Sequence, residues 1–413
     1  MDKHTELPSV AQRFLRYVGY DTQSDEASST RPSSARQLKL LRLLVEELQA
    51  LGLSDAHLDD HSYVIASVPS NVAHSVPTIG LIAHVDTSPE MTGADVKPQI
   101  HPNYQGGPIK LNAEYQLTPE QSPELATHHG HTIITSDGTT LLGADNKAGV
   151  ASIITLVERL LRGDVRHGPL RIAFTYDEEI GRGTETFDVE AFGAKYAYTV
   201  DGETVGHIEN ETFCADSAVI TCHGVNVHPG YAKGRMVNAL KVAAEIVARL
   251  PAGQSPEATD GREGYIHPVA ISGGVEQATV KLILRDFELE KLAVQHQQLL
   301  QLAREAEARF AGAKVEVVFE ESYRNMRLVL DQHPEVVELA IEATRRAGLE
   351  PKLSCIRGGT DGAALSFRGL PTPNIFTGGH LFHSRFEWVA VEAMQATVDT
   401  LTELVSLWAE RSA

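Results

Sequence analysis

Cysteine is scarce in this chain: three among 413 residues (Cys214, Cys222 and Cys355), an odd number with no CxxC spacing. That excludes a disulfide scaffold and a thiolate metal site, and it fits thiols kept reduced in a cytoplasmic setting. Positive charge is also short, with 36 Lys plus Arg against 55 Asp plus Glu and a formal net charge of −19. No basic run occurs, so neither nucleic acid nor an anionic membrane surface is expected as a partner. No apolar stretch approaches membrane-spanning length. The opening residues Met1–Val10 are polar, contain acids and a proline, and do not read as a secretion signal.

The chain does hold enough apolar residues, 42 %, to bury proper cores, and its length argues for two domains. Helical and strand-like segments alternate through the first half, which predicts an α/β domain. Ser33 or Ser34 offers a cap for a helix with the apolar stripe Leu38, Leu41, Leu44, Val45, Leu48, Leu51, stopped at Gly52. Strands are expected at 63–68, 78–85, 170–176 and 196–200, and a helix at 150–161. Three of these strands end in acids or histidine: His84 and Asp86, Asp177 to Glu179, and Asp201. In open α/β sheets ligands gather at the carboxyl ends of strands. A smaller α+β unit is expected at 208–322, reading β-α-β-α-β with a loop at 251–264, inserted as a lid into a catalytic domain made of 1–207 and 323–413. Residues 86–140, rich in Pro, Gly and His, read as irregular excursions.

Each chemistry-bearing cluster has a bland reading as well as a sharp one. His84 and Asp86, two apart on a strand, face one side. The carboxylate then fixes the imidazole tautomer, as beside many zinc ligands, or simply makes a hydrogen bond at a strand end. Asp145, in Leu142-Gly143-Ala144-Asp145-Asn146-Lys147, sits where it could bridge two cations or merely cap the following helix. Asp177, Glu178 and Glu179 repel one another unless cations compensate them, although acidic loops are usually just solvated. Asp201 ends its strand, and two late histidines, His380 and His383, follow an apolar run at 374–377. Together these make a His/Asp/Glu/Asp/His set without Cys, suited to two zinc ions.

The stretches HVDT, GADNKAG, TYDEEIGRG, TVDG, GVNVHPGYAKG, RDFE, YRNM, IRGGTDGA and NIFTGGHLFH resemble, in the same order, those of the co-catalytic zinc exopeptidases and aminoacylases, specifically the tripeptide aminopeptidases among them. The resemblance runs from about residue 7 to 410. It implies a catalytic domain with a mixed sheet flanked by helices, plus the smaller lid. It implies that His84 and Asp201 are terminal ligands of one zinc, that Glu179 and His383 serve the other, and that Asp145 bridges them. Asp86 would orient His84 and Glu178 would be the general base. His228 in the lid would help hold the oxyanion, Arg285 and Arg357 the peptide carboxylate, and Asn325 the substrate backbone. At His228 a plain turn residue, at the arginines surface ion pairs, and at Asn325 a turn amide are the competing readings.

The implied cofactors are two Zn²⁺ per chain, with Co²⁺ or Mn²⁺ accepted by the same ligands. The implied activity is removal of the N-terminal residue from a short peptide, with homodimerisation left open. A dipeptidase, carboxypeptidase or N-acyl amino acid deacylase of the same fold is the alternative; a catalytically silent peptide-binding protein is one of another class. The sequence departs from the familiar pattern at Glu203 and at His380–Arg385 without losing a ligand.

Overall fold

The computed structural model describes residues 7–411. They form two compact units. The first comprises the chain up to Asn210, Met326–Ser354, and the chain from Thr360 on; the second comprises Glu211–Asn325 with Cys355–Gly359.

The first unit is built on a mixed eight-stranded sheet, ordered His57–Leu58, Val64–Val68, Leu170–Thr175, Ile79–His84, Tyr196–Gly202, Asn374–Phe376, His207–Thr212, Lys352–Ile356. The central strand Ile79–His84 is buried along its whole length and runs parallel to both neighbours. It is continuously apolar because a parallel strand covered on both faces has no solvent side. Helix Ala144–Leu161 packs on this strand, on Tyr196–Gly202, and on helices Ser9–Val18 and Val391–Ala409. Its approach is close at Gly149, where an added Cβ would stand 1.9 Å from the Val200 carbonyl oxygen. A second, four-stranded antiparallel sheet joins Gly379–His380, Trp388–Ala390, Ile133–Thr135 and Gln99–His101. Part of the stretch read as irregular is therefore regular.

Ser33 and Ser34 do not cap the helix that follows them. That helix, Gln37–Ala50, has Arg36 at its N-cap with no side-chain cap, because Ser33 is committed to Asp177.

The second unit has a four-stranded antiparallel sheet ordered Tyr265–Gly273, Gln277–Asp286, Cys214–His223, Lys314–Tyr323, with helices Ala239–Ala248 and Leu289–Arg309. The first of these strands is absent from the β-α-β-α-β expectation. It is an edge strand with Pro268 inside it, where the register shifts, and its second half is exposed. Proline demotes a run to edge strand or loop, so the sequence signal was weak. Residues 355–359, expected in the catalytic domain, cluster with the second unit.

Candidate metal centre

Parallel register creates the first half of the site. Ile82 pairs with Thr199, so His84 and Asp201, each two residues further on, lie side by side at the strand ends and point to one face. His84 Nε2 is 3.2 Å from Asp201 Oδ1 and 3.0 Å from Asp145 Oδ1. Asp145 reaches this point from the start of helix Ala144–Leu161, where Gly143 takes φ +85° and Asp145 itself is non-helical. Its other oxygen, Oδ2, lies 3.3 Å from His383 Nε2, which is 2.7 Å from Glu179 Oε2. Two groups of three thus form, His84/Asp145/Asp201 and Asp145/Glu179/His383, with the ligand atoms of each within 4.8 Å of one another.

The acidic corner is held in a particular way. Asp177 adopts φ +58°, a conformation disfavoured for a side chain with a Cβ. It is compensated by bonds to its buried carboxylate from the Ser33 amide and hydroxyl and from Gln37 Nε2. Asp86 accepts the amide N–H of Glu178 at 3.1 Å on one oxygen and that of Glu179 at 3.1 Å on the other. Its Oδ1 is also 3.3 Å from His84 Nδ1. His383 stands in the loop between Gly379–His380 and Trp388–Ala390 with φ +60°.

The electrostatics call for cations. Burial, joined by the Asp145 charge, pushes the Glu179 carboxyl up to about 8. Burial with Asp145 and Asp86 pushes Asp201 up to about 6. Burial raises Glu178 well above the usual carboxylate range, with Asp201, Asp361 and Glu179 adding to it. Against the cost of burial, Asp201, Asp145 and Asp86 raise His84 well above its ordinary value. Among the described residues Glu179 Oε1 is buried without a hydrogen-bond partner, and such a group is costly unless something binds it. A nitrogen and oxygen donor set, one carboxylate shared between two clusters, and an unpartnered buried carboxylate oxygen suit a pair of divalent cations.

His380 belongs to neither cluster: it is stacked on Trp388 and lies 3.5 Å from Glu203. The other four expected residues lie in the second unit. His228 is exposed and accepts the Gly230 amide on Nδ1. Arg285 donates to the carbonyls of Asp216 and Leu284 and lies over the Tyr323 ring.

The remaining two, Arg357 and Asn325, bond within their own unit. Arg357 makes its bonds to the Gly261 and Glu263 carbonyls and to Thr259, so its guanidinium clamps a loop of its own unit. Asn325 is buried and its amide is engaged at both ends, accepting from Thr212 N and donating to Phe287 O and Glu211 Oε1.

Two buried acids around these ligand groups, Asp361 and Glu387, were given no role from sequence. Asp361 Oδ2 accepts from Thr175 Oγ1 at 2.8 Å and its carboxylate packs on Gly183, beyond the acidic corner. Glu387 binds the loop that carries Asp145. A lone acid inside the apolar run Phe386-Glu387-Trp388-Val389 was the available signal, since a buried charge needs partners.

Residues 135–407 match the family model described as peptidase family M20/M25/M40. Relatives named peptidase T resemble the chain end to end. The one from Geobacillus sp. (strain WCH70) is 47 % identical over 98 % of this chain and 99 % of its own. The one from Halothermothrix orenii is 48 % identical over 98 % and 100 %. Among solved structures, the aminopeptidase PepT from Bacillus cereus superposes with a TM-score of 0.76 over 98 % of both chains at 23 % identity. A tripeptidase from Staphylococcus aureus gives 0.76 over the same shares at 22 %.

Proposed function

The chain belongs to peptidase family M20/M25/M40, and on that premise we propose that it is a metal-dependent aminopeptidase that releases the N-terminal residue of short peptides, tripeptides above all. End-to-end likeness to relatives named peptidase T, at 47–48 % identity, supports the substrate class. The observation that carries the chemistry is Asp145, which turns one carboxylate oxygen to His84 and the other to His383.

His84 and Asp201 would hold one cation, Glu179 and His383 the other, and Asp145 would serve both. Zinc suits the donors best, and cobalt or manganese would be accepted. When bound, the pair supplies a water of lowered pKa and polarises the scissile carbonyl. Glu178 is the general base, taking a proton and returning it to the leaving amine; burial and the neighbouring acids raise its carboxyl above the usual range. Asp86 orients His84 and, through the Glu178 amide, fixes where that base stands. Of the second unit, His228 is assigned to the substrate oxyanion, Arg285 and Arg357 to its carboxylate and Asn325 to its backbone, for which imidazole, guanidinium and amide are apt donors. The three cysteines, all free thiols, are in keeping with a cytoplasmic setting.

The test is turnover of an unmodified tripeptide, its N-acetylated form and a dipeptide with zinc present. Release of the N-terminal residue from the unblocked tripeptide is expected, reduced roughly 100- to 10,000-fold in Glu178→Ala. Preference for the acetylated compound would make the protein a deacylase and overturn this reading.

A further inference from the structure

Glu387 is 1 % exposed, yet its carboxylate is fully occupied. Oε2 accepts the amide N–H of Leu142 at 2.7 Å and of Gly143 at 2.8 Å, and Oε1 accepts that of Asp145 at 3.0 Å. These three donors open helix Ala144–Leu161, where orphan N–H groups and the helix dipole favour an anion. The anion comes from 242 residues away in sequence, four residues after His383 and next to strand Trp388–Ala390.

The consequence is geometric. Asp145 has non-helical φ/ψ at the head of its helix, and the direction of its carboxylate depends on where its N–H is pinned. His383 lies in a short loop whose φ of +60° at His383 and +55° at Leu381 is disfavoured for residues with a Cβ. Ser384 ties that loop internally through the Leu381 carbonyl and the Phe386 amide. Glu387 closes the circuit by joining the His383 loop to the Asp145 loop. In the group Asp145/Glu179/His383 it therefore supports two members of three. In the group His84/Asp145/Asp201 it supports one, because His84 and Asp201 stand on paired strands of the sheet.

We infer that Glu387 is a positioning residue for the metal centre, and that it sets the affinity of the Glu179/His383 side selectively over the His84/Asp201 side. This rests on the two-cation reading of the site. Outer partners of metal ligands are worth about 10- to 100-fold in affinity. A residue that served only the fold would lower both affinities together or neither.

The experiment is calorimetric titration of Zn²⁺ into the metal-free full chain, repeated with Co²⁺ and visible absorption as the second probe. The wild type should take two ions in two steps. In Glu387→Gln one step should weaken about tenfold or more while the other stays within about threefold. At saturating zinc, kcat should recover with KM unchanged. Glu387→Asp, which keeps the charge on a shorter arm, should fall between, and it carries the same comparison if the Gln variant does not fold. Two unchanged steps, or two steps weakened alike together with a lower Tm, would overturn the inference. A wild type that takes up no zinc would sink the two-cation reading itself, which is a different failure.

Discussion

Asp86 serves three groups with one carboxylate: the His84 ring and the amides of Glu178 and Glu179. A strand-end aspartate two residues from a histidine announces only the first of these. The other two depend on a corner brought in from about ninety residues away, so they were invisible before folding. Asp86→Asn keeps the size but turns one acceptor into a donor facing an N–H. It is expected to lower kcat by one to two orders of magnitude with little change in KM, read by steady-state kinetics at saturating zinc. Glu209 gives a pH test at the same scale. Burial, with Asp201 nearby, pushes its carboxyl up to about 8, against the bond from Asn374. Its folded value is thus raised above the unfolded one. The fold therefore resists the ionised form, at a cost fully present above pH 8 and gone below about 4.5. Glu209→Gln should raise Tm at pH 8–9 and leave it unchanged near pH 4, as measured by calorimetry; an equal gain at both pH values would contradict this.

At the scale of elements, the buried strands and the helices were legible because their apolar pattern is set by burial on known faces. Ile79–His84 and Leu170–Thr175 fall within about a residue of where the pattern puts them. Elements that carry no such pattern escaped. The strand Tyr265–Gly273 is exposed over its second half and broken by Pro268. The short strands Gln99–His101 and Ile133–Thr135 exist only through pairing, with each other and, for Ile133–Thr135, with Trp388–Ala390. Likewise, the guanidinium chemistry of Arg357 is visible in sequence, whereas the carbonyls of Thr259, Gly261 and Glu263 that it bonds are not. The close approach of helix Ala144–Leu161 to its strand yields a sharp prediction. Gly149→Ala would place a methyl 1.9 Å from a backbone oxygen, so backbone must move, at a cost of about 1–3 kcal/mol. Gly253→Ala, with nothing within 4 Å, is the neutral control, and urea unfolding of both variants measures the difference.

For the whole molecule, the first unit gathers acids from Asp86 to Glu387 around two histidines, in a chain whose net charge is −19. Cations that bind the folded chain and not the unfolded one must then stabilise it, by about 2.7 kcal/mol at a hundred times Kd. Chelation should lower Tm by several degrees, and zinc should restore it. The measurement that bears most directly on the account is metal content per chain after equilibrium dialysis, by mass spectrometry, in the wild type, His383→Ala and Asp145→Ala. Two ions in the wild type, one in His383→Ala and fewer than one in Asp145→Ala is the result that the shared carboxylate predicts. A single ion in the wild type, unaffected by His383→Ala, would contradict it.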